Sequence, residues 1–527
     1  MNKSFCNTCR KLAPATRATR DGKVYLLKQC PTCGETETLV SADAARHFAK
    51  RDLDPGLETH GCAIHCTECR THRRPTYAFV DVTNRCNLNC PMCADSVGGH
   101  GFVYEPPIGY LNKIFKHLAG FDPLPTIALF GGEPTVRPDL LEVIALARSY
   151  GFPVRVLTNG IRLADRDYCR ALAKSGAHLL VSYDGCKPST YAQLRSNEKV
   201  LEKKHKAVEN LSSLQRGRVS YVTCLAWGLN HNDLPEMLDF YHRQRHILKG
   251  VYLMPLVQTW DSKEFDYAPE RMTTEDVERL LAACFPEHDV QFIALGLASH
   301  FWTVAKYLGK DPFPYRGAHP NCESFYLLIS NGEKYVPIDH FLTKPFHEVA
   351  GAMLKLEERL TAREKRWEKS LFGRMLGAVR LRNFTLRQIG RAQILSLLFR
   401  HGRIGRVFKG KGIGKVGHAL MTGLELAIGR ESRAVRARHL NAHEFLPVTI
   451  LPLEDNPIIE TERLERCPSV HVYIDPSTDE ARYVPVCSWR MHNKQILSDL
   501  AAHFAATAPD AAVPEPAAVA AGSERPA

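Results

Sequence analysis

No uninterrupted apolar run in this chain of 527 residues reaches the roughly 20 residues needed to cross the hydrocarbon of a bilayer, which argues against a membrane span. An apolar signal segment is also missing at the start, where Met1 to Arg10 is polar and carries cysteine. With 17 cysteines, this favours a reducing compartment and metal ligation over disulfides. The expectation is a cytoplasmic protein. Internal repeats are absent apart from two cysteine triplets. Acidic residues nearly vanish between Arg363 and Lys415, where 15 lysines or arginines face only Glu364 and Glu368. The net charge of +12, from 69 basic and 57 acidic residues, therefore comes entirely from one segment.

The cysteines fall into spaced groups. Cys6-x2-Cys9 and Cys30-x2-Cys33, the second with Pro31 and Gly34 as turn residues, have the spacing of a tetrahedral four-thiolate site for zinc or mononuclear, rubredoxin-like iron. Four protein thiolates leave no open position, so the role is structural. Cys86-x3-Cys90-x2-Cys93 follows the apolar stretch Tyr77 to Val82. Three thiolates so close can hold three irons of a 4Fe-4S cube and leave the fourth iron open, although zinc or buried thiols are the plainer alternatives.

Beyond this triplet, apolar runs alternate with helical patterns. Thr126 to Phe130 ends in Gly131-Gly132-Glu133-Pro134, Val154 to Leu157 in Thr158-Asn159-Gly160, and Leu179 to Val181 in Ser182-Tyr183-Asp184-Gly185; Val219 to Ala226 and Val251 to Val257 follow. Repeated strand and helix predict an α/β fold with a parallel sheet, and ligands beyond the carboxyl ends of its strands.

With these motifs in this order, the chain resembles the radical S-adenosylmethionine superfamily over roughly residues 76 to 260. The resemblance implies a partial (β/α)6 barrel, with Cys86, Cys90 and Cys93 on the cube and its open iron chelating the cofactor's methionine. Gly131, Gly132, Glu133 and Pro134 would hold the methionine amino group, and Met92 would lie beside the adenine. Ser182 and Asp184 would lie near ribose or carboxylate and Arg195 near the carboxylate, with Asn159 among the strand-end cofactor contacts. Reduction would release a 5′-deoxyadenosyl radical that takes hydrogen from an unactivated carbon, the electron coming from a partner such as ferredoxin or flavodoxin. Cys62-x3-Cys66-x2-Cys69 repeats the spacing without a preceding strand. It reads as ligands to an auxiliary 4Fe-4S cluster, with zinc as the alternative; Cys322, Cys467 and Cys487 could ligate further iron, the alternative for each being a buried, unligated thiol.

The knuckle, the two triplets, His319-Pro320-Asn321-Cys322 and Val484-Pro485-Val486-Cys487 together resemble the tetraether lipid synthase group, also labelled pterin-modifying methyltransferases. The chain departs from that pattern at Tyr77, near where another thiol is expected. The resemblance implies carbon-carbon bond formation on a membrane lipid chain; the alternative is a radical methyltransferase for a pterin or other soluble small molecule. A metal-cluster electron carrier or an RNA-binding modification factor is the reading from another class.

Within the basic segment, apolar residues from Trp367 to Phe399 recur mostly at steps of three and four with arginines between them, as in amphipathic helices lying on an anionic membrane. The expected partner is a membrane lipid or anionic membrane surface at the inner face. Nucleic acid is not expected, since clustered aromatics for stacking are lacking. Gly410 to Lys415 reads as a linker or a lipid-phosphate contact, not a P-loop. The expected organisation is a metal-binding module at 1–72, the barrel at 73–350, a basic helical insertion at 351–440, a cysteine-bearing C-terminal module at 441–505 and a disordered tail at 506–527.

Overall fold

The computed structural model describes residues 2–53, 75–95, 99–214, 218–258, 270–308, 318–370, 381–427, 430 and 432–507. Cys62, Cys66 and Cys69 lie outside these residues, as does the tail from residue 508.

The N-terminal unit is an antiparallel sheet of β1 (Lys3–Phe5), β2 (Leu12–Arg20), β3 (Lys23–Cys30) and β4 (Gly34–Ser41). Asp21 and Gly22, both at positive φ, make the two-residue turn that matches the twist of the β2–β3 hairpin.

Six parallel strands follow, each beside its predecessor: β5 (Tyr77–Thr83), β6 (Thr126–Gly131), β7 (Val154–Thr158), β8 (His178–Ser182), β9 (Val219–Leu225) and β10 (Leu248–Pro255). Side chains alternate between the two faces of each strand. Val80, Leu129, Val156, Leu179, Tyr221 and Leu253 pack outward into one core with helices such as Ile108–Leu118, which buries Leu111, Ile114, Phe115 and Leu118. The alternate residues Phe79, Ala128, Leu157, Leu180, Val222 and Met254 face an interior cavity.

The remaining strands are β11 (Ile293–Ala294), β12 (Ser324–Ser330), β13 (Tyr335–Pro337), β14 (Phe445–Ile450), β15 (Ser469–Asp475) and β16 (Glu480–Pro485). β14 runs parallel to β10 and β15 parallel to β5. Residues 441–505, expected as a module of their own, thus add strands to both edges of the barrel sheet, and residues 451–468 cross from one edge to the other. The physical reason is that β10 and β5 would otherwise leave unpaired backbone at the two ends of the half-barrel.

The N-terminal sheet clasps this crossing segment. Asn2 Nδ2 donates to Glu460 (2.8 Å), the Lys3 amide to Thr461 Oγ1 (2.9 Å), and Arg17 pairs with Glu462 at 2.9 Å. Lys50, in the helix Ala44–Asp52, sits buried between Glu275 (2.9 Å) and Glu278 (2.7 Å).

The insertion is helical as expected, but its apolar side chains divide in two. On helix Leu381–His401, Leu386, Ile394 and Leu397 pack with Val304, Tyr307 and Leu360, so this stripe is protein core and not a membrane face. Gly390 allows that contact, since a Cβ there would lie 2.0 Å from the Tyr307 ring. Leu395, Leu398 and Phe399 are exposed. Helix Ile413–Ala427 is turned inside out: Ile413, Val416, Leu420 and Leu424, at steps of three and four, and Met421 beside them all face solvent, while buried Glu425 pairs with Arg438 and His418 approaches His439. Among the described residues no helix is long and apolar enough to cross a membrane.

Candidate active site

The loop that follows β5 carries the Cys86 triplet, and its path is set by the end of β6. The Gly132 amide donates to Thr83 O and the Glu133 amide to Arg85 O, both at 2.8 Å. Gly131 has φ +126°, and a Cβ on it would lie 2.0 Å from Thr83 O; one on Gly132 would lie 2.4 Å from Arg85 O. Only glycines permit this backbone contact. It holds the start of the cysteine loop over the carboxyl ends of the strands.

Cys86, Cys90 and Cys93 line a cavity of about 1000 Å³ that also exposes Met92, Gly131, Gly132, Glu133, Asn159, Ser182 and Arg195. The structure thus brings together most of the residues expected from the sequence. Two stand elsewhere. Pro134 is buried in the turn Pro134–Val136, off the cavity wall. Asp184, expected at the ribose or carboxylate, is fully buried; one oxygen accepts from the Cys224 amide (3.0 Å) and the other from Arg195 Nε (2.9 Å). Its role is to orient Arg195, whose guanidinium reaches 3.9 Å from Cys90 Sγ.

Glu133 reaches the wall, yet its carboxylate is engaged by the protein. It accepts from the Thr135 amide (3.0 Å), Thr158 Oγ1 (2.7 Å) and the Asn159 amide (2.6 Å), tying the end of β6 to the end of β7. Asn159 in turn donates to Asn87 Oδ1 at 2.7 Å, inside the cysteine loop.

Lys204 stands outside the sequence motifs. From helix Val200–Ser212 its buried ammonium donates to Asn159 O (2.6 Å), to Ser182 Oγ (2.7 Å) and to Ser182 O. The available signal was a lysine on the apolar stripe of Val200, Ala207, Val208 and Leu211. Burial, helped by the Arg195 charge, lowers its pKa from 10.5 to about 7. The unfolded chain therefore binds a proton here that the folded chain lacks between these values, so this lysine's contribution to stability is present at high pH and lost as pH falls toward 7. Relative to Lys204→Met, the wild type should gain stability between pH 7.5 and 9.5 in urea unfolding. A gap that stays constant would contradict this.

Toward the N-terminal ends of the strands the cavity is closed by Arg155, which donates to Tyr252 Oη (2.9 Å) and lies 4.7 Å from the Tyr77 ring centre. Cys322, beside β12, and Cys467 and Cys487, flanking the β15–β16 hairpin, line the same cavity from its two edges. Burial raises all three thiols, Cys487 to about 11, and Cys467 also feels the charge of the other two. Arg463 stands beside them, paired with Glu454 at 3.0 Å, while its Nε and Nη2 have no hydrogen-bond partner among the described residues.

The ligating atoms of Cys6, Cys9, Cys30 and Cys33 all lie within 4.8 Å of one another, with Cys9 and Cys30 sulfurs 3.6 Å apart. Thiolates bonded at about 2.3 Å to one tetrahedral zinc are separated by about 3.8 Å, so the donor set fits that ion. Among the described residues no other group of three or more ligating atoms is so tight. The cavity cysteines are not drawn together in this way, and a cube, which takes each thiolate on a different iron, does not require that they be. The glycine contact and the adjoining cavity leave room on the open side of the Cys86 triplet for a second chelating molecule.

A half-barrel of parallel strands with a glycine-supported cysteine loop over their carboxyl ends defines a class of cluster-bearing enzymes. Residues 80–241 match the Radical SAM superfamily, and residues 1–42 match the HMPTM N-terminal zinc ribbon domain. The 7,8-dihydro-6-hydroxymethylpterin dimethyltransferase of Methanocaldococcus jannaschii is 31% identical over 356 residues, 64% of this chain and 70% of that protein. A probable GTP 3′,8-cyclase of Methanothermobacter marburgensis is 28% identical over 188 residues, 35% of this chain and 59% of its own length. The crystal structure of Streptococcus suis SuiB bound to S-adenosylmethionine is similar at a TM-score of 0.35 and 12% identity, covering 53% of this chain and 69% of that one. The chain belongs to the radical SAM superfamily and, within it, to the family of the pterin dimethyltransferase. It is a radical SAM enzyme that uses a 4Fe-4S cluster and S-adenosylmethionine, with zinc in its N-terminal ribbon.

Proposed function

We propose that this enzyme is a radical methyltransferase acting on an unactivated carbon of a flat, polar-edged small molecule of the pterin kind. The observation that carries this reading is the make-up of the cavity. Phe79 and Phe130 meet edge to face at 5.6 Å on its wall, and Arg155 with Tyr252 offers a polar end below them. Aromatic walls and a few convergent polar groups suit a planar heterocycle. The similarity to the pterin dimethyltransferase supports the same substrate class.

When bound, the cube and S-adenosylmethionine supply a 5′-deoxyadenosyl radical able to remove hydrogen from a strong C–H bond. Cys86, Cys90 and Cys93 hold the cube. Arg195, oriented by Asp184, would offer its cation to the cofactor carboxylate, and Met92 and Ser182 would flank the remainder. Lys204 and Glu133 fix Ser182 and Asn159 from behind, while the apolar wall excludes water from the reacting carbon. Cys322, Cys467 and Cys487 would hold an auxiliary 4Fe-4S cluster, and Arg463, with Nε and Nη2 unpartnered beside them, would supply positive charge and N–H donors there. Electrons come from a reducing partner such as a ferredoxin or flavodoxin.

A second reading, carbon-carbon bond formation on a membrane lipid chain, is favoured by the outward apolar face of helix Ile413–Ala427. One anaerobic experiment separates the two. The reconstituted enzyme, reductant and excess S-adenosylmethionine, one equivalent as radical source and a second as methyl donor that leaves as S-adenosylhomocysteine on reduction, are given 7,8-dihydro-6-hydroxymethylpterin or total lipid extract, and products are read by mass. A pterin heavier by a CH2 unit is expected. An unchanged pterin beside new long-chain lipids would overturn the first reading in favour of the second.

A further inference from the structure

We infer that helix Ile413–Ala427 is a membrane-docking element that lays its apolar face into the interface of an anionic bilayer. The inference is independent of which substrate the barrel takes. A helix on a water-soluble surface ordinarily buries its apolar stripe and shows its polar one. Here Ile413, Val416, Leu420, Met421 and Leu424 form one continuous outward face, with Leu420 70% and Ile413 88% exposed. The inward side is polar: Glu425 pairs with Arg438 (2.7 Å) and faces His439 (3.3 Å), and His418 Nδ1 lies 2.9 Å from His439 Nδ1. These contacts hold the helix with its apolar side out. Ile404, Leu395, Leu398 and Phe399 add exposed apolar groups on the neighbouring elements.

The surrounding charge identifies what covers the face. Between Arg400 and Arg438 ten lysines or arginines stand against Glu425 and Glu431. Arg400, Arg403, Arg406, Lys411 and Arg430 are exposed. Lys415, on the first turn, donates to Gly405 O at 2.7 Å, which sets the short helix Ile404–Val407, capped by Arg403 and containing Arg406, beside the apolar face. A second copy of this chain would bring two cationic rims together, whereas a bilayer containing anionic lipid neutralises the rim and accepts the apolar stripe together. Among the described residues no helix is able to span, so the attachment is peripheral.

The test is flotation of the full-length zinc-loaded protein with vesicles of phosphatidylcholine alone or with 30% phosphatidylglycerol, at low and high salt. The expected result is binding to the anionic vesicles only, weakening as salt rises. Lys411→Gln and Arg403→Gln should each weaken it about fivefold. Leu420→Ser with Leu424→Ser should weaken it more than tenfold while zinc content and circular dichroism stay unchanged. A separate Leu420→Trp variant should show blue-shifted emission with anionic vesicles, quenched by brominated acyl chains. Absence of binding at low salt, equal binding by the leucine variants, or a self-associated dimer dispersed by them would overturn the inference.

Discussion

Gly131→Ala is expected to abolish incorporation of the radical cluster while leaving the zinc ribbon intact. A Cβ at this position would lie 2.0 Å from Thr83 O, far inside contact distance, and the residue sits at φ +126°, where side chains are rarely accommodated. The neighbouring Thr83 is fully buried in β5, and the Gly132 and Glu133 amides are bonded to Thr83 O and Arg85 O, so relief comes mainly from moving the loop that leads to Cys86. Iron per chain should fall by about four, 5′-deoxyadenosine formation by more than a hundredfold, and zinc not at all. Normal iron loading with normal cleavage of S-adenosylmethionine would show that the loop tolerates the displacement and that this contact is not what positions the cluster.

Cys467→Ser should separate cofactor cleavage from product formation. The thiol lies across the cavity from the Cys86 loop, beside Cys322 and Cys487, and none of the three contributes to the glycine-supported loop. Loss of one thiolate from an auxiliary cube should remove about four irons per chain and shift the spectrum of the reduced protein. 5′-Deoxyadenosine should still form, at no less than about a third of the wild-type rate, and methylated product should fall more than tenfold. Unchanged iron in Cys467→Ser and in Cys487→Ser would mean that these are buried free thiols and would remove the auxiliary cluster from the mechanism.

The strands and motif order were legible because parallel barrel strands are short apolar runs that end in polar or glycine residues. Thr126 to Phe130 and Leu179 to Val181 fall within β6 and β8 for that reason. The glycines were legible as close-approach positions, but not that the partner is the backbone of Thr83 and Arg85, since that pairing joins two strand ends. Asp184 carried the right chemistry and the wrong position: its neighbours Arg195 and the Cys224 amide come from other elements, and they draw the carboxylate behind the wall. Lys204 follows Lys203 with nothing in its immediate neighbours to set it apart, and it is the phase of the stripe Val200, Ala207, Val208 and Leu211 that buries it. The separation of β14 and β15 to opposite edges of one sheet has no local signature. Periodicity found amphipathic helices in the basic segment but not which way each faces, so one apolar stripe became core against Tyr307 and another points outward.

The most direct test is anaerobic reaction of the reconstituted wild type and Cys90→Ala with dithionite and S-adenosylmethionine, followed by quantification of 5′-deoxyadenosine and of zinc. The wild type should produce it in a time-dependent manner and Cys90→Ala should produce none, both retaining one zinc per chain. Equal 5′-deoxyadenosine from both proteins would contradict the assignment of the Cys86, Cys90 and Cys93 loop as the radical centre.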